Sequence, residues 1–126
     1  MMARRMRLFA LRGATTVERN TSEDILGATT VLMREIMERN DLEPEAVVSC
    51  LFTLTEDLDA QFPAVAARQV GFDQVPLLHA REIPVPGSMP RVIRVLMHYY
   101  AAEAHKAQHV YLGEARKLRM DLESAQ

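Results

Sequence analysis

The sequence predicts an α+β domain in which a mixed five-stranded sheet packs on one long helix and one short helix. One long segment has apolar residues at helical spacing, whereas several short β-branched runs are separated by glycine and proline. This order does not fit alternating βαβ units. Because one long helix cannot cover five strands, we expect chains to associate into a closed ring or symmetric trimer in which the sheets shield one another.

Composition limits the classes of function. A chain of 126 residues with a net charge of -2 is large enough for one domain, 1–126, and its interspersed charges give no general attraction for nucleic acid or an anionic membrane. The single cysteine, Cys50, predicts a buried thiol and a reducing compartment. The apolar run after the N-terminal arginines is too short for a signal peptide, and no run reaches the ~18 residues that span a bilayer. We therefore expect a soluble cytoplasmic protein.

The first half of the chain contains the first strand and the long helix. The strand is predicted at 6–12 and ends at Gly13. The helix is predicted at 22–39, with Thr21 as its N-cap and Asn40 closing its C-terminus. Its apolar stripe, which should pack on the sheet, consists of Ile25, Leu26, Thr29, Leu32, Met33, Ile36 and Met37.

The second half contains the remaining strands and the short helix. Strands are predicted at 46–55, 75–83, 92–100 and 109–112, and the short helix at 62–70. Three prolines and one glycine between residues 84 and 90 predict an irregular loop. Residues 101–108 are predicted to be a connector, with helix as one option, and the tail 113–126 to be mobile without ligand.

Arg94 is the residue that the apolar pattern does not explain. It lies in the β-branched run at 92–97, where strand alternation places it on the same face as Val92 and Leu96. An unpaired guanidinium on such a face would cost several kcal/mol, so we expect an anion beside it. Two interpretations stay open: an internal ion pair, or an anionic ligand held by Arg94.

Several further residues favour the ligand. Other arginines, one carboxylate, one histidine and one phenol occur in or beside the predicted strands or in the tail: Arg12, Arg119, Glu82, His79 and Tyr111. Arginine forks suit carboxylates, and the sequence offers no recognisable nucleophile–base pair. The pattern indicates a site that clamps a polyanionic small molecule without a metal or cofactor.

These residues belong to a longer series of motifs. The series comprises RGATTVE at 12–18, TEDL at 55–58, FPA at 62–64, VPL at 75–77, Glu82, VIRV at 92–95, HVYL at 109–112, LR at 118–119 and DL at 121–122. In order and spacing it resembles the monofunctional bacterial chorismate mutases of the AroH class. The resemblance spans about residue 6 to residue 122 and covers nearly the whole chain.

The resemblance implies an assembly and a reaction. It implies a homotrimer with a pseudo-α/β-barrel core and an active site at each of three subunit interfaces. It also implies the Claisen rearrangement of chorismate to prephenate, on the route to phenylalanine and tyrosine. Chorismate is then the small-molecule partner, and the reaction requires no cofactor.

The resemblance also implies roles for individual residues. Arg94 matches the arginine that reaches the breaking ether oxygen and an adjacent carboxylate, and Glu82 matches the residue that contacts the ring hydroxyl. Arg12 and Tyr111 match positions that hold substrate carboxylate. The pocket-lining positions are Phe62, Ala64, Leu77 and Leu118, the entrance positions are Arg68 and Arg119, and Leu78, His79, Ala80 and Arg81 complete the expected substrate-binding set.

This sequence departs from the family pattern at three positions. His79 stands where members often carry a small thiol or hydroxyl residue, Leu78 replaces a frequent threonine, and Val65 replaces a lysine of some members. His79 is a candidate donor to the substrate hydroxyl and a source of pH dependence. Because strict alternation places His79 and Glu82 on opposite faces, we predict a bulge or strong twist at this strand end that lets both reach one ligand.

Two other interpretations remain open. A trimer with the same residues would also serve as a non-catalytic binding protein for carboxylate metabolites, because site chemistry and not fold decides function. His105 and His109 are four residues apart and, with Glu103 or His98, would form part of a zinc site.

Overall fold

A computed structural model describes residues 5–119. In chain order its main elements are β1 (Met6–Thr16), α1 (Ser22–Asn40), β2 (Val47–Leu54), α2 (Pro63–Ala67), β3 (Leu77–Arg81), β4 (Val92–Ala102) and β5 (Val110–Tyr111). The strands form one sheet in the order β3-β2-β4-β1-β5. β4 is antiparallel to β1 and β2, whereas the outer pairs β1–β5 and β2–β3 are parallel. The predicted α+β fold with a mixed five-stranded sheet is confirmed.

Helix α1 begins and packs as its sequence predicts. The Thr21 hydroxyl accepts a hydrogen bond from the Asp24 amide at 3.1 Å, which satisfies one of the free donors of the first turn. The apolar stripe is buried against the sheet, with Ile25, Leu32 and Ile36 fully inaccessible to solvent. The stripe therefore fixes which face of the sheet the helix covers.

The C-terminal end of α1 differs from the prediction by one residue. The left-handed residue that ends the helix is Asp41, with φ of 51°. Asn40 is buried instead, and its side chain donates to the Gln108 carbonyl at 3.0 Å and accepts from the Gln108 amide at 2.7 Å. These bonds attach the end of the connector to α1. Residues 101–102 continue β4, a turn follows at 103–104 and residues 105–108 are not helical, so the helical option for 101–108 is wrong.

The two faces of the sheet have different environments. Next to α1, a Cβ atom on Gly13 would lie 2.7 Å from Ile36 Cδ1, so the backbone of β1 approaches the helix closely. Neither α1 nor α2 covers the opposite face, and we call it the open face. Its large side chains include Leu8 and Tyr100, each 48% exposed, and Leu78, 68% exposed. The register places Arg12, Leu51, Thr53, Arg94 and Leu96 on the open face as well.

The described residues end before the end of the chain. Residues 113–119 form a 3₁₀ turn at Gly113–Ala115 followed by helical residues 116–119. Residues 1–4 and 120–126 lie outside the described range, as does the DL motif at 121–122 and with it half of the predicted tail. No helix within 5–119 is long and apolar enough to cross a membrane.

Candidate active site

Arg94 and Glu82 meet on the open face. Arg94 lies in β4 between Ala14 of β1 and Thr53 of β2 in the register of the sheet. Glu82 follows β3 directly, and its amide donates to the Leu54 carbonyl at 2.9 Å, which continues the pairing by one residue. Arg94 Nε then lies 3.2 Å from Glu82 Oε2, and the Thr53 hydroxyl donates to the same carboxylate oxygen. The expected anion beside Arg94 is therefore Glu82.

Arg94 is more exposed to solvent than the apolar run around it suggests. Its side chain is 47% exposed, because alternation places it on the open face and not against α1. A pair this accessible is screened by solvent and contributes about 0 to 1 kcal/mol to stability. The main effect of Glu82 is thus to hold the guanidinium in one orientation.

Arg12 and Tyr111 complete a pocket around this pair. Tyr111 pairs with Ala14, which in turn pairs with Arg94, so β5 places the phenol on the open face near the guanidinium. Together with Thr53 and Leu51 these residues line a cavity of about 260 Å³, which we call the arginine pocket. It offers two guanidiniums, one carboxylate and one phenol within an apolar wall.

A second group of predicted residues lies on the other face of the sheet. His79 pairs with Phe52, and its ring packs 5.8 Å from that ring and 5.3 Å from the ring of Phe62. His79 Nε2 accepts a hydrogen bond from the Ala64 amide at 3.2 Å, near the start of α2. We call Phe62, Ala64 and His79 the α2 cluster. Burial, and then the charge of Arg68, lower the pKa of His79.

The predicted irregularity near Glu82 is wrong. The register of β3 with β2 is unbroken from Leu77 to Arg81, and the β2–β4 register shift lies at Val47 and Ser49. Glu82 needs no bulge, since it shares its alternation with Ala80 and so faces Arg94. His79 instead points away from Arg94, and its Nε2 accepts the hydrogen bond from the Ala64 amide of the same chain.

The remaining predicted residues fall into three places. Leu78 and Ala80 lie exposed on the open face, whereas Leu77 packs against the core under α1. Arg81 donates to the carbonyls of Thr55 at 2.9 Å and Leu58 at 2.7 Å, so it supports the loop before α2. Arg68, in the turn after α2, is exposed.

The C-terminal segment lies against the arginine pocket. The Arg119 guanidinium lies 5.9 Å from the centre of the Tyr111 ring. Leu118 lines a wider opening of about 1120 Å³ that also includes Arg94. This segment therefore borders the pocket.

Two residues escaped sequence reasoning as site residues: Thr53, which lines the pocket, and His109, which lies beside it. Thr53 belongs to a strand that alternation alone leaves without a register, and only its pairing with Arg94 places its hydroxyl beside Glu82. His109 was considered as a zinc ligand, but its Nδ1 accepts a hydrogen bond from the Arg12 amide at 3.0 Å. His105 contacts the Tyr99 hydroxyl at 2.7 Å, and no cluster of three or more metal-binding side chains occurs among residues 5–119.

Comparisons with known proteins agree with this geometry. A family model described as "Chorismate mutase type I" matches residues 8–122. The chain is 52% identical over 118 residues to chorismate mutase AroH of Thermus thermophilus, covering 92% of this chain and 97% of that protein. It is 42% identical over 119 residues to chorismate mutase AroH of Bacillus subtilis (strain 168), covering 93% and 94%. A solved chorismate mutase structure from Clostridium thermocellum is similar at a TM-score of 0.82 and 45% identity, covering 86% of this chain and 98% of that one.

Proposed function

This chain belongs to the type I chorismate mutase family, whose members are isomerases, and from that premise we propose that the arginine pocket rearranges chorismate to prephenate. The observation that carries the proposal is the Arg94–Glu82 pair, fixed at 3.2 Å in a pocket shared with Arg12 and Tyr111. The two guanidiniums and the phenol of the pocket are donors that suit the carboxylates of a small dianion.

The reaction defines what the protein must supply. In this [3,3]-sigmatropic step one C–O bond breaks while one C–C bond forms, and no proton, nucleophile or redox change is required. Catalysis then rests on holding the folded conformer of the substrate and stabilising the charge of the transition state. Both tasks can be done by rigid, correctly oriented side chains.

Arg94 is the group proposed to stabilise developing negative charge on the ether oxygen. Glu82 meets the guanidinium through Nε, so the terminal N–H groups are proposed as the donors to a ligand. The apolar side chains of Leu51 and Leu96 on the open face strengthen such a hydrogen bond once ligand displaces water. Glu82 also balances positive character that develops on the ring.

Arg12 and Tyr111 are proposed to select the reactive conformer. A guanidinium and a phenol both donate hydrogen bonds to carboxylate, and they enter the pocket from two different strands. Fixing the carboxylates at these points brings the two reacting carbons together before the bond forms. Leu118 and Arg119, at the mouth, are proposed to close the site over the ligand.

We propose that the active sites lie between subunits of a homotrimer. The arginine pocket and the α2 cluster include residues expected to contact one substrate, yet in one chain they lie on opposite faces of the sheet. One small ligand reaches both groups only when the α2 cluster comes from a neighbouring chain. The exposed apolar residues of the open face supply the surface that such an assembly would bury.

The proposal is tested by chorismate consumption, followed by the loss of chorismate absorbance. We expect rapid conversion to prephenate by the native chain. We expect Arg94→Ala to lose about 3 to 4 kcal/mol of transition-state stabilisation, the cost typical of a lost oxyanion donor. Arg94→Lys keeps the charge but loses the fork, so we expect it to be strongly impaired as well.

The control keeps the change in net charge and moves it away from the pocket. Arg39→Ala removes an arginine that pairs with Glu35 on the surface of α1 at 2.9 Å, and we expect native activity. If the native chain is folded and trimeric yet gives no acceleration, the mutase proposal is wrong and a carboxylate-binding protein takes its place.

A further inference from the structure

His109 lies beside the arginine pocket in a position where it controls the backbone of a substrate-binding residue. Strand β5 pairs with β1 through only two residues, at Gly13 with Val110 and at Ala14 with Tyr111. One residue earlier the ladder is completed by a side chain, since the Arg12 amide donates to His109 Nδ1 at 3.0 Å. The imidazole therefore takes the place of a main-chain acceptor at the end of the shortest strand.

This bond links the two groups proposed to hold substrate carboxylate. Arg12 donates through its own backbone, and Tyr111 lies two residues after His109 on the same side of β5. Losing the bond would leave β5 attached to β1 only beyond residue 109. The position of the phenol relative to the Arg12 guanidinium would then be less constrained.

The hydrogen bond also sets the charge state of the ring. An imidazole accepts through Nδ1 only when that nitrogen is unprotonated, so the ring must be the neutral Nε2–H tautomer. The charged groups that act on it are both cations, Arg12 from β1 and Arg119 from the C-terminal segment. Burial first, and then these two charges, lower the pKa of His109, which keeps the acceptor form present at neutral pH.

We propose that His109 is a positioning residue for chorismate binding: as a neutral acceptor for the Arg12 amide, it fixes Arg12 and Tyr111 in the geometry that holds the substrate carboxylates. This inference rests on the proposed function of the arginine pocket. Its role is indirect, because it acts through the backbone of Arg12 and not by contact with the reacting atoms.

The pH dependence of KM separates positioning from simple charge. Protonated His109 would add a third cation beside Arg12 and Arg119, and charge alone would lower KM for a dianionic substrate at acid pH. Loss of the Arg12 bond acts in the opposite direction. Because the pKa of His109 is lowered, we expect KM of the native chain to rise only at pH values below the ordinary histidine pKa of about 6.5, and a fall in KM there would overturn the proposal.

Two variants test the role of the acceptor. His109→Leu removes it, and we expect kcat/KM at pH 7.5 to fall about five- to tenfold, mainly through KM, the effect of one lost hydrogen bond. His109→Gln offers an amide oxygen that does not titrate, so we expect it to recover much of that loss. We also expect a smaller rise of KM at acid pH than in the native chain, in which His79 and His109 both titrate. His105→Gln is the matched control, since His105 contacts Tyr99 away from the pocket. Unchanged KM in His109→Leu, or a rise of KM at acid pH in His109→Gln that is as large as in the native chain, would refute the positioning role.

Ring ¹⁵N chemical shifts test the tautomer without using activity. We expect the Nε2–H form of His109 at pH 7.5 and in the absence of substrate. The Nδ1–H form would contradict the inference even if the enzyme is active. A native chain without mutase activity would instead remove the proposed function and leave the Arg12–His109 bond to be judged by these shifts alone.

Discussion

At the scale of single residues, the same pattern that makes Arg94 conspicuous in the sequence also makes it useful. A guanidinium in an apolar β-branched strand requires an anion, and Glu82 provides one at 3.2 Å. Because the pair is accessible, it adds little to stability. The pair instead fixes the orientation of the Arg94 guanidinium. The Thr53 hydroxyl donates to Glu82 and so holds the carboxylate in place.

His79 gives a prediction about stability and pH. Its Nε2 accepts from the Ala64 amide, so protonation would remove the acceptor at the start of α2. The pKa of His79 is lowered in the folded chain by burial and by Arg68, so the unfolded chain binds more protons as pH falls below about 6.5. The free energy of unfolding should therefore be highest above this pH and decrease from there down to the folded-state pKa. His109 contributes with the same sign.

The measurement is urea unfolding at several pH values and one fixed protein concentration. We expect His79→Gln, which cannot titrate, to reduce the dependence of stability on pH between about 6.5 and 5. If the free energy of unfolding changed with pH equally in the native chain and in this variant, the proposed role of His79 would be wrong.

At the scale of elements, the contact of α1 with β1 depends on a missing side chain. A Cβ on Gly13 would lie 2.7 Å from Ile36 Cδ1 and 3.1 Å from Val95 Cγ1, both buried. We expect Gly13→Ala to lower the free energy of unfolding by about 1 to 3 kcal/mol, because the helix must shift from the sheet. The shift would also disturb Arg12, the next residue in β1.

A second glycine supplies the control. Gly27 lies within α1, and a Cβ there would meet no atom within 4 Å. We expect Gly27→Ala to stabilise the chain by about 0.5 to 1 kcal/mol through the helix preference of alanine. Both variants are compared by thermal unfolding. Equal effects of the two substitutions would show that the close contact of α1 with β1 does not depend on the missing side chain of Gly13.

Much of the fold follows from the sequence, because each element has a strong local signal. The cap at Thr21 and the stripe of α1 are local features, and both predicted the observed helix. The connector after β4 is different, since its end is attached to α1 by Asn40, which binds Gln108 across 68 residues. No local pattern reports such a bond.

The candidate site also contains some residues that the sequence predicted and others that it did not. Arg12, Glu82, Arg94 and Tyr111 were found from residue type and family resemblance, and the structure brings all four to one pocket. Thr53 and His109 were missed because their importance depends on register, which alternation does not specify. The error at Glu82 has the same source: the face shared with Arg94 is decided by the pairing of β2 with both β3 and β4.

At the scale of the whole molecule, the open face supports the proposal that the working unit contains more than one chain. Helix α1 covers one side of the sheet, while Leu8, Leu78 and Tyr100 remain exposed on the other. Apolar side chains gathered on one sheet face are typical of an interface between chains. The two groups of substrate-binding residues, one on each side of the sheet, fit the same assembly.

Mixed assemblies give the sharpest test of shared active sites. Arg94→Ala disables the arginine pocket of its own chain, and Phe62→Asp places a negative charge on an exposed ring position of the α2 cluster, 64% exposed in this chain. If each site takes its pocket from one chain and its α2 cluster from the next, a site between the two variants can have both parts intact. Random mixing into trimers should then restore about a quarter of the sites.

The experiment compares unmixed and mixed variants. We expect each variant alone to be nearly inactive and trimeric, and co-refolded chains at equal ratio to regain activity toward about one quarter of the native value. Mixing Arg94→Ala with a chain that carries both substitutions leaves no intact pocket and serves as the control. Activity that stays at the sum of the separate variants, despite mixed trimers, would mean that each chain completes its own site. The α2 cluster would then have to reach the arginine pocket within one subunit, against the placement of His79 opposite Phe52 on the covered face.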